Sequence, residues 1–239
     1  MLKGAYQSWW NHHIGPNPNF ALVPASESMT SGYGSWGSTP YYQVPREPVP
    51  NQDGDVVLFP TCGGWFGYYQ ALPAVNNIIR KLEIEGNEVV IGDQDYTQST
   101  LAHAYFLQGA VYGHLALLYD QAFLLTEEDN PENFNFEFTG YQDLMDFAIQ
   151  RIDMAIDICE NNTFTDPVDM MPGHTFNNES LGRFANSYAA RLLAYNARTP
   201  DQTQDVDWQR VLEYANNGIS QDFAVSLEPG WQGLAIKRD

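Results

Sequence analysis

The glycines of "GYGSWG", residues 32–37, match the Gly-x-Gly-x-x-Gly pattern of dinucleotide-binding turns. That pattern holds a pyrophosphate only when a strand precedes it and a helix follows it. Here no strand pattern precedes, "STP" follows, and the surrounding sequence is typical of a loop. The three glycines are therefore interpreted as turn formers, and no cofactor is expected.

The histidines and acidic turns do not form a recognisable metal or catalytic motif. His103 and His114 are eleven residues apart and share a helix face, but this separates them by roughly 16 Å along the axis. "NQDGD", residues 51–55, carries oxygen ligands around a glycine but lacks the later bidentate glutamate of a calcium loop. A turn is the favoured interpretation and a calcium site the alternative. HExxH, GxSxG and a plausible Cys–His pair are absent from the sequence. We therefore expect no metal ligands and no catalytic residues.

Carboxylates are the most abundant reactive groups. The chain has 30 acidic and 11 basic side chains, for a formal charge of −19. This charge repels phosphate backbones and anionic membrane surfaces, so nucleic-acid binding is not expected. Glycoside hydrolysis needs two carboxylates across a cleft, and a helical glycosidase is the enzymatic alternative. The run "EEDNPE", residues 127–132, is expected to be a solvated loop instead.

An aromatic loop is the best candidate for ligand binding. Tyr33, Trp36, Tyr41 and Tyr42 occur among Gly, Ser, Thr and Pro in the loop-rich region 14–60, without helical or alternating period. Sugar rings stack their apolar C–H faces on such rings, while nearby polar groups, here Asn51 and Asp53, bind hydroxyls. The alternative is that one or two of the rings fold back over the helical core.

The cysteines leave two interpretations open. Cys62 and Cys159 could form a disulfide in an oxidising compartment, or both could be buried thiols. No run approaches the ~18 apolar residues of a membrane-spanning helix.

Periodicity then predicts the elements that must position these residues. Helices are predicted over 2–13, 64–85, 98–118, 139–161, 182–198 and 207–219. Pro73 is expected to kink the second of them, and Thr139, Asn178 and Asp207 are candidate caps. Short strands are predicted at 56–59, 88–91 and 223–227. The fold class is mainly α, in a single domain over 1–239.

Two of the helix pairs match each other. A shift of 83 residues places Ala102, Tyr105 and Tyr112 on Ala185, Tyr188 and Tyr195. A shift of 67 residues places Tyr141, Leu144, Ala148 and Ile152 on Trp208, Val211, Ala215 and Ile219. Small residues at a crossing let helices approach closely. The region 98–220 is therefore predicted to contain two tetratricopeptide-like hairpins, with 162–177 inserted between them. Tyr119 and Trp208 are expected to pack in the core.

Several segments together resemble the SusD/RagB family. "AHAYFLQGAVYGHLALLYDQAFLL" (102–125) is similar to a characteristic helix of that family. "LGRFANSYAARLLAYNARTPDQTQDVDWQRVLEYANNGI" (181–219) resembles its following helix pair, and "WFGYYQALPAVNNII" (65–79) an earlier helix. "ESMTSGYGSWG" (27–37) and "PREPVPN" (45–51) resemble the loop before that helix. Pro73 and the turn at 119–122 depart from the family pattern.

The resemblance implies a function and a location. SusD/RagB proteins are surface-exposed outer-membrane lipoproteins of Bacteroidetes, used in polysaccharide utilisation. They bind oligosaccharides or other nutrients without turning them over, and they partner a SusC-like TonB-dependent transporter. Membrane attachment is implied only through an N-terminal lipid anchor, whose cysteine this chain lacks. The chain is expected to represent the N-terminal and tetratricopeptide-like portion, without the C-terminal half.

The sequence therefore predicts a non-catalytic glycan-binding protein with Tyr33, Trp36, Tyr41, Tyr42, Asn51 and Asp53 as its site. An interaction scaffold, in which helical hairpins present a concave face to a partner protein, is the non-enzymatic alternative.

Overall fold

The computed structural model describes residues 1–14, 26, 45, 58–130, 132–133 and 135–225. Most of them are helical, which confirms the prediction of a mainly α protein. The α-helices in these ranges are α1 (Leu2–Ile14), α2 (Leu58–Ile79), α3 (Thr97–Leu118), α4 (Tyr141–Asn161), α5 (Asn178–Tyr195), α6 (Pro200–Asp205) and α7 (Trp208–Asn216). A π-helical turn, Arg80–Ile84, follows α2.

The chain divides into two compact units. The larger consists of Met1–Tyr6 and Leu72–Ser226, and the smaller of Gln7–Ala71 and Leu227–Asp239. In the smaller unit, a Cβ on Gly67 would lie 1.8 Å from Cδ2 of His12. Only glycine therefore lets α2 and α1 approach so closely at this point. The buried Tyr68 hydroxyl donates to the His12 carbonyl at 3.5 Å.

Helix α3 is the centre of the larger unit. Every residue from Leu101 to Ala116 is buried, which explains why this segment has no polar face. Two glycines of α3 let the neighbouring helices approach it closely. A Cβ on Gly109 would lie 2.6 Å from the Ala148 carbonyl oxygen of α4, and one on Gly113 would lie 2.4 Å from Cδ1 of Leu192 in α5. Because these positions have no side chain, α4 and α5 both pack directly on α3.

Among the remaining helices of the larger unit, α4 packs on α5, and α5 packs on α7. Arg210 and Tyr214 of α7 contact the Asp153 carboxylate of α4. Helix α7 has no buried residue, and Trp208 is 48% exposed. The expectation that Trp208 packs in the core is therefore wrong, because α7 lies at the surface of the described chain and the Trp208 indole reaches only the Thr203 carbonyl of α6, to which it donates at 3.1 Å. Tyr119 is half-buried.

The strands are short. β1 (Val90–Ile91) pairs antiparallel with β2 (Gln94–Asp95) around Gly92, whose φ is +62°. β3 (Gln121–Phe123) pairs antiparallel with β4 (Phe138–Gly140), with Ala122 opposite Thr139. The strand predicted at 56–59 is wrong, since Leu58 already begins α2. Residues 223–225 form no strand either.

Two of the three predicted caps differ from the structure. Thr139 lies in β4 and does not cap α4, because its backbone pairs with β3. Asn177, one residue before the predicted Asn178, forms a capping box with Ser180 at the start of α5. Asp207 is confirmed as the cap of α7, where it accepts from the Arg210 amide at 3.0 Å.

Candidate functional site

All six residues of the predicted glycan site lie outside the described residues. They are Tyr33, Trp36, Tyr41, Tyr42, Asn51 and Asp53. This site therefore stays a prediction.

A buried polar network crosses the larger unit. The Asp166 carboxylate accepts from the Ser99 hydroxyl at 2.6 Å and contacts Nε2 of His103 at 2.8 Å. Nδ1 of His103 lies 2.6 Å from the Tyr6 hydroxyl. A histidine protonated at Nε2 satisfies both contacts, donating to Asp166 and accepting from Tyr6. The network therefore ties α1, α3 and the 162–177 segment together.

The network contains Ser, His and Asp but is not a nucleophilic triad. In a triad the serine donates to the histidine, whereas Ser99 donates to Asp166. All four side chains are buried, so no substrate reaches them. Burial, reinforced by the charge of Asp166, raises the pKa of Tyr6 well above its ordinary value. Tyr6 therefore stays neutral, and the network is a structural element.

A second network corrects one expectation about the acidic run 127–132. Glu127 is only 5% exposed, where we expected a solvated residue. Its carboxylate pairs with Arg151 of α4 at 2.9 Å and accepts from Gln108 of α3 at 3.0 Å. The Arg151 guanidinium also lies 4.6 Å from the centre of the Phe147 ring. These partners offset the cost of burying the charge.

Cys159 is a buried free thiol. Burial, with smaller contributions from the charges of Asp166 and Glu160, raises its pKa from 9.0 to about 12. The thiolate is the reactive form of cysteine, so Cys159 is not a nucleophile at neutral pH. Among the described residues, no three His, Cys, Asp or Glu side chains are grouped closely enough to hold a metal ion.

A surface groove of about 450 Å³ lies beside the start of α5. Its walls are the segment 174–180 and the segment 219–223, with Arg183 of α5 between them. His174 and Phe223 stack with ring centres 3.8 Å apart, and both are half-buried. Two contacts hold the second wall in place: the Ile219 amide donates to the Ser187 hydroxyl, and Nε2 of His174 donates to the Ala224 carbonyl.

A second groove of about 340 Å³ adjoins the first and shares Glu179 and Arg183 with it. Arg183 donates to Glu179 at 2.9 Å, so the two form an ion pair between the grooves. The second groove is lined mainly by side-chain amides and carboxylates, from Glu160, Asn178, Asn186, Asn216 and Asn217. We call the two together the Arg183 groove.

Sequence reasoning missed both the networks and the groove. Tyr6, His103 and Asp166 are far apart in sequence, and only the i, i+4 spacing of Ser99 and His103 gave a local signal. The groove combines the segment after the 162–173 loop with the segment after α7, and neither carries a motif.

Comparison with models of known protein families, with curated proteins and with solved structures gave no match. None of the described helices is long and apolar enough to cross a bilayer.

Proposed function

We propose that this protein is a SusD/RagB-like nutrient-binding protein that binds an oligosaccharide and leaves it chemically intact. In this proposal it acts at the surface of the outer membrane, held by an N-terminal lipid anchor, and passes its ligand to a SusC-like TonB-dependent transporter. The support is the order of resembling segments together with the way the matched helix pairs pack.

The packing of the two helix pairs carries the proposal. Helix α3 packs on α4 and α5 packs on α7, as two tetratricopeptide-like hairpins would. The matched alanines Ala102 and Ala185 are both inaccessible to solvent, and the matched tyrosines Tyr105 and Tyr188 are both buried. These two equivalent environments support a repeat at the inner part of the first helices. At the five other matched pairs the member in the second hairpin is the more exposed one, as for Ala148, which is buried, and Ala215, which is exposed.

Exposed apolar side chains on the second helix pair, α5 and α7, favour an interaction scaffold as a second candidate function. Tyr195, Leu212 and Trp208 are 70%, 59% and 48% exposed, whereas Tyr112, the match of Tyr195, is buried. Exposed aromatic side chains of this kind are enriched at protein interfaces. The two candidates are compatible, because a transporter is itself a protein partner.

For the glycosidase alternative, the carboxylates that line the Arg183 groove are Glu160, Glu179 and Asp222. Glu179 is committed to an ion pair with Arg183 and its side chain is 68% exposed. A glycosidase needs one of its carboxylic acids protonated, in a site closed to water. All three carboxylates of the groove are exposed, so their surroundings do not provide this, and we propose binding without hydrolysis.

Titration calorimetry against a panel of oligosaccharides tests this function. We compare the wild-type protein with the Trp36→Ala, Tyr41→Ala double variant, and use Tyr195→Ala as a control that removes an exposed aromatic ring elsewhere. Saturable binding that weakens in the double variant alone is expected. Absence of binding across the panel, with the protein folded, would refute the proposal.

A further inference from the structure

We propose that the Arg183 groove is a binding site for a neutral oligosaccharide. This inference rests on the proposed function and adds a site formed by residues of the larger unit to the site predicted within residues 33–53.

The size and stability of the walls suit a small ligand. Volumes of about 450 and 340 Å³ fall in the ~300–1,000 Å³ range of small-molecule sites. The wall 219–223 is fixed at both ends, at Ser187 by a 2.9 Å hydrogen bond and at His174 by a 2.8 Å hydrogen bond to Ala224. The groove therefore exists before a ligand arrives, which lowers the entropic cost of binding.

The charge of the groove argues against an anionic ligand. Arg183 is paired with Glu179, while Asp222 and Glu160 line the walls without an ion-pair partner in the described part of the chain. The walls are thus net acidic, in a protein whose formal charge is −19. A phosphate, a nucleotide or an acidic sugar would be repelled, and a neutral ligand would not.

The aromatic wall supplies a rigid apolar surface. His174 and Phe223 stack nearly in parallel, at 18°, and each keeps part of its surface exposed at the groove. Phe223 also stacks on Phe184, 4.9 Å away, so the ring is held rigidly. Because His174 and Phe184 both stack on Phe223, a sugar would meet the rim of this aromatic stack, where its apolar C–H groups can pack against rigid rings at little entropic cost.

Other side chains that line the groove supply hydrogen-bonding groups. Asn216, Asn217, Gln221 and Asp222 make no side-chain hydrogen bond within the described part of the chain, and all are exposed. Amides both donate and accept, and a carboxylate accepts two or more bonds. This set matches the alternating donors and acceptors of sugar hydroxyls. With one aromatic wall in the first groove and amides in the second, the arrangement fits at least two linked sugar units across the Arg183–Glu179 pair.

The experiment repeats the titration with the neutral oligosaccharide that the wild-type protein binds best, using Phe223→Leu and a matched control, Phe136→Leu. Phe136 is 64% exposed and does not line the groove. Loss of the flat ring should weaken binding about threefold to tenfold, while the control binds as the wild type does. Hydrogen–deuterium exchange on the wild type should slow within 174–183 and 216–223 when the sugar is added.

The outcomes separate the two proposals. If Phe223→Leu binds the sugar with unchanged affinity, and the sugar slows hydrogen–deuterium exchange only outside those segments, the groove is not the sugar site. The proposed function would still stand. A preference for acidic sugars or for peptides over neutral sugars would overturn the ligand class. Failure of the folded wild type to bind any sugar would overturn both.

Discussion

Replacing Gly109 by alanine should destabilise the protein, although alanine is the better helix former. The added Cβ would lie 2.6 Å from the Ala148 carbonyl oxygen and 2.6 Å from Cγ1 of Ile152. A backbone oxygen cannot rotate away, so α3 and α4 must separate by several tenths of an ångström. Overpacking of this kind costs ~1–3 kcal/mol, and the helix propensity of alanine recovers about 1 kcal/mol. Because the clash is with a backbone oxygen, the steric cost should lie in the upper part of that range, ~2–3 kcal/mol, for a net loss of about 1–2 kcal/mol.

Urea unfolding followed by far-UV circular dichroism measures this loss. The urea concentration at the midpoint should fall, while the dependence of the unfolding free energy on urea concentration should stay the same. Gly113→Ala is the matched comparison, because its Cβ would meet the movable side chain of Leu192 at 2.4 Å, and it should cost less. Gly4→Ala has no neighbour within 4 Å and should be neutral or slightly stabilising. If Gly109→Ala were as stable as the wild type, the close α3–α4 crossing would be refuted.

Three further predictions concern stability. Burial raises the pKa of Cys159 from 9.0 to about 12, so the unfolded state loses this proton first as the pH rises. Between pH 9 and 12 the free energy of unfolding, measured by urea denaturation, should therefore fall by about 1.4 kcal/mol per pH unit more in the wild type than in Cys159→Ala. The same pH dependence in both proteins would contradict this. Arg198 donates to the Ala116 carbonyl at 2.8 Å, and its guanidinium lies 3.8 Å from the centre of the Tyr141 ring. Because lysine cannot make both contacts, Arg198→Lys should lower the stability of the fold by about 1–2 kcal/mol, measured by thermal unfolding. An unchanged melting temperature would contradict this geometry. Asn177→Ala should cost about 1 kcal/mol in the same assay while Asn177→Ser, which keeps a cap, should not.

The helices were the most predictable part of the fold. The run of apolar and small residues around Gly109 and Gly113 predicts a buried helix, and α3 begins at Thr97, one residue before the predicted start. Boundaries that depend on tertiary pairing were less predictable. The sequence around Thr139 is typical of a helix cap, but in the structure the backbone of Thr139 pairs with β3 as part of β4.

The polar interior could not be predicted for a different reason. A carboxylate in an acidic run normally faces water, and Glu127 is buried only because Arg151 and Gln108, from two different helices, meet it there. The same holds for the Arg183 groove, whose aromatic pair, His174 and Phe223, comes together through the path of the chain after α7. Spacing along the sequence carries no information about such contacts.

Equilibrium dialysis tests the central claim, binding without turnover, most directly. The protein is dialysed against an isotopically labelled neutral oligosaccharide, and the sugar recovered from both chambers is sized by mass spectrometry. The account predicts a saturable excess of label on the protein side, all of it at the original length. Shortened sugar in either chamber would show catalysis, and equal label on both sides at every concentration would show that the protein does not bind it.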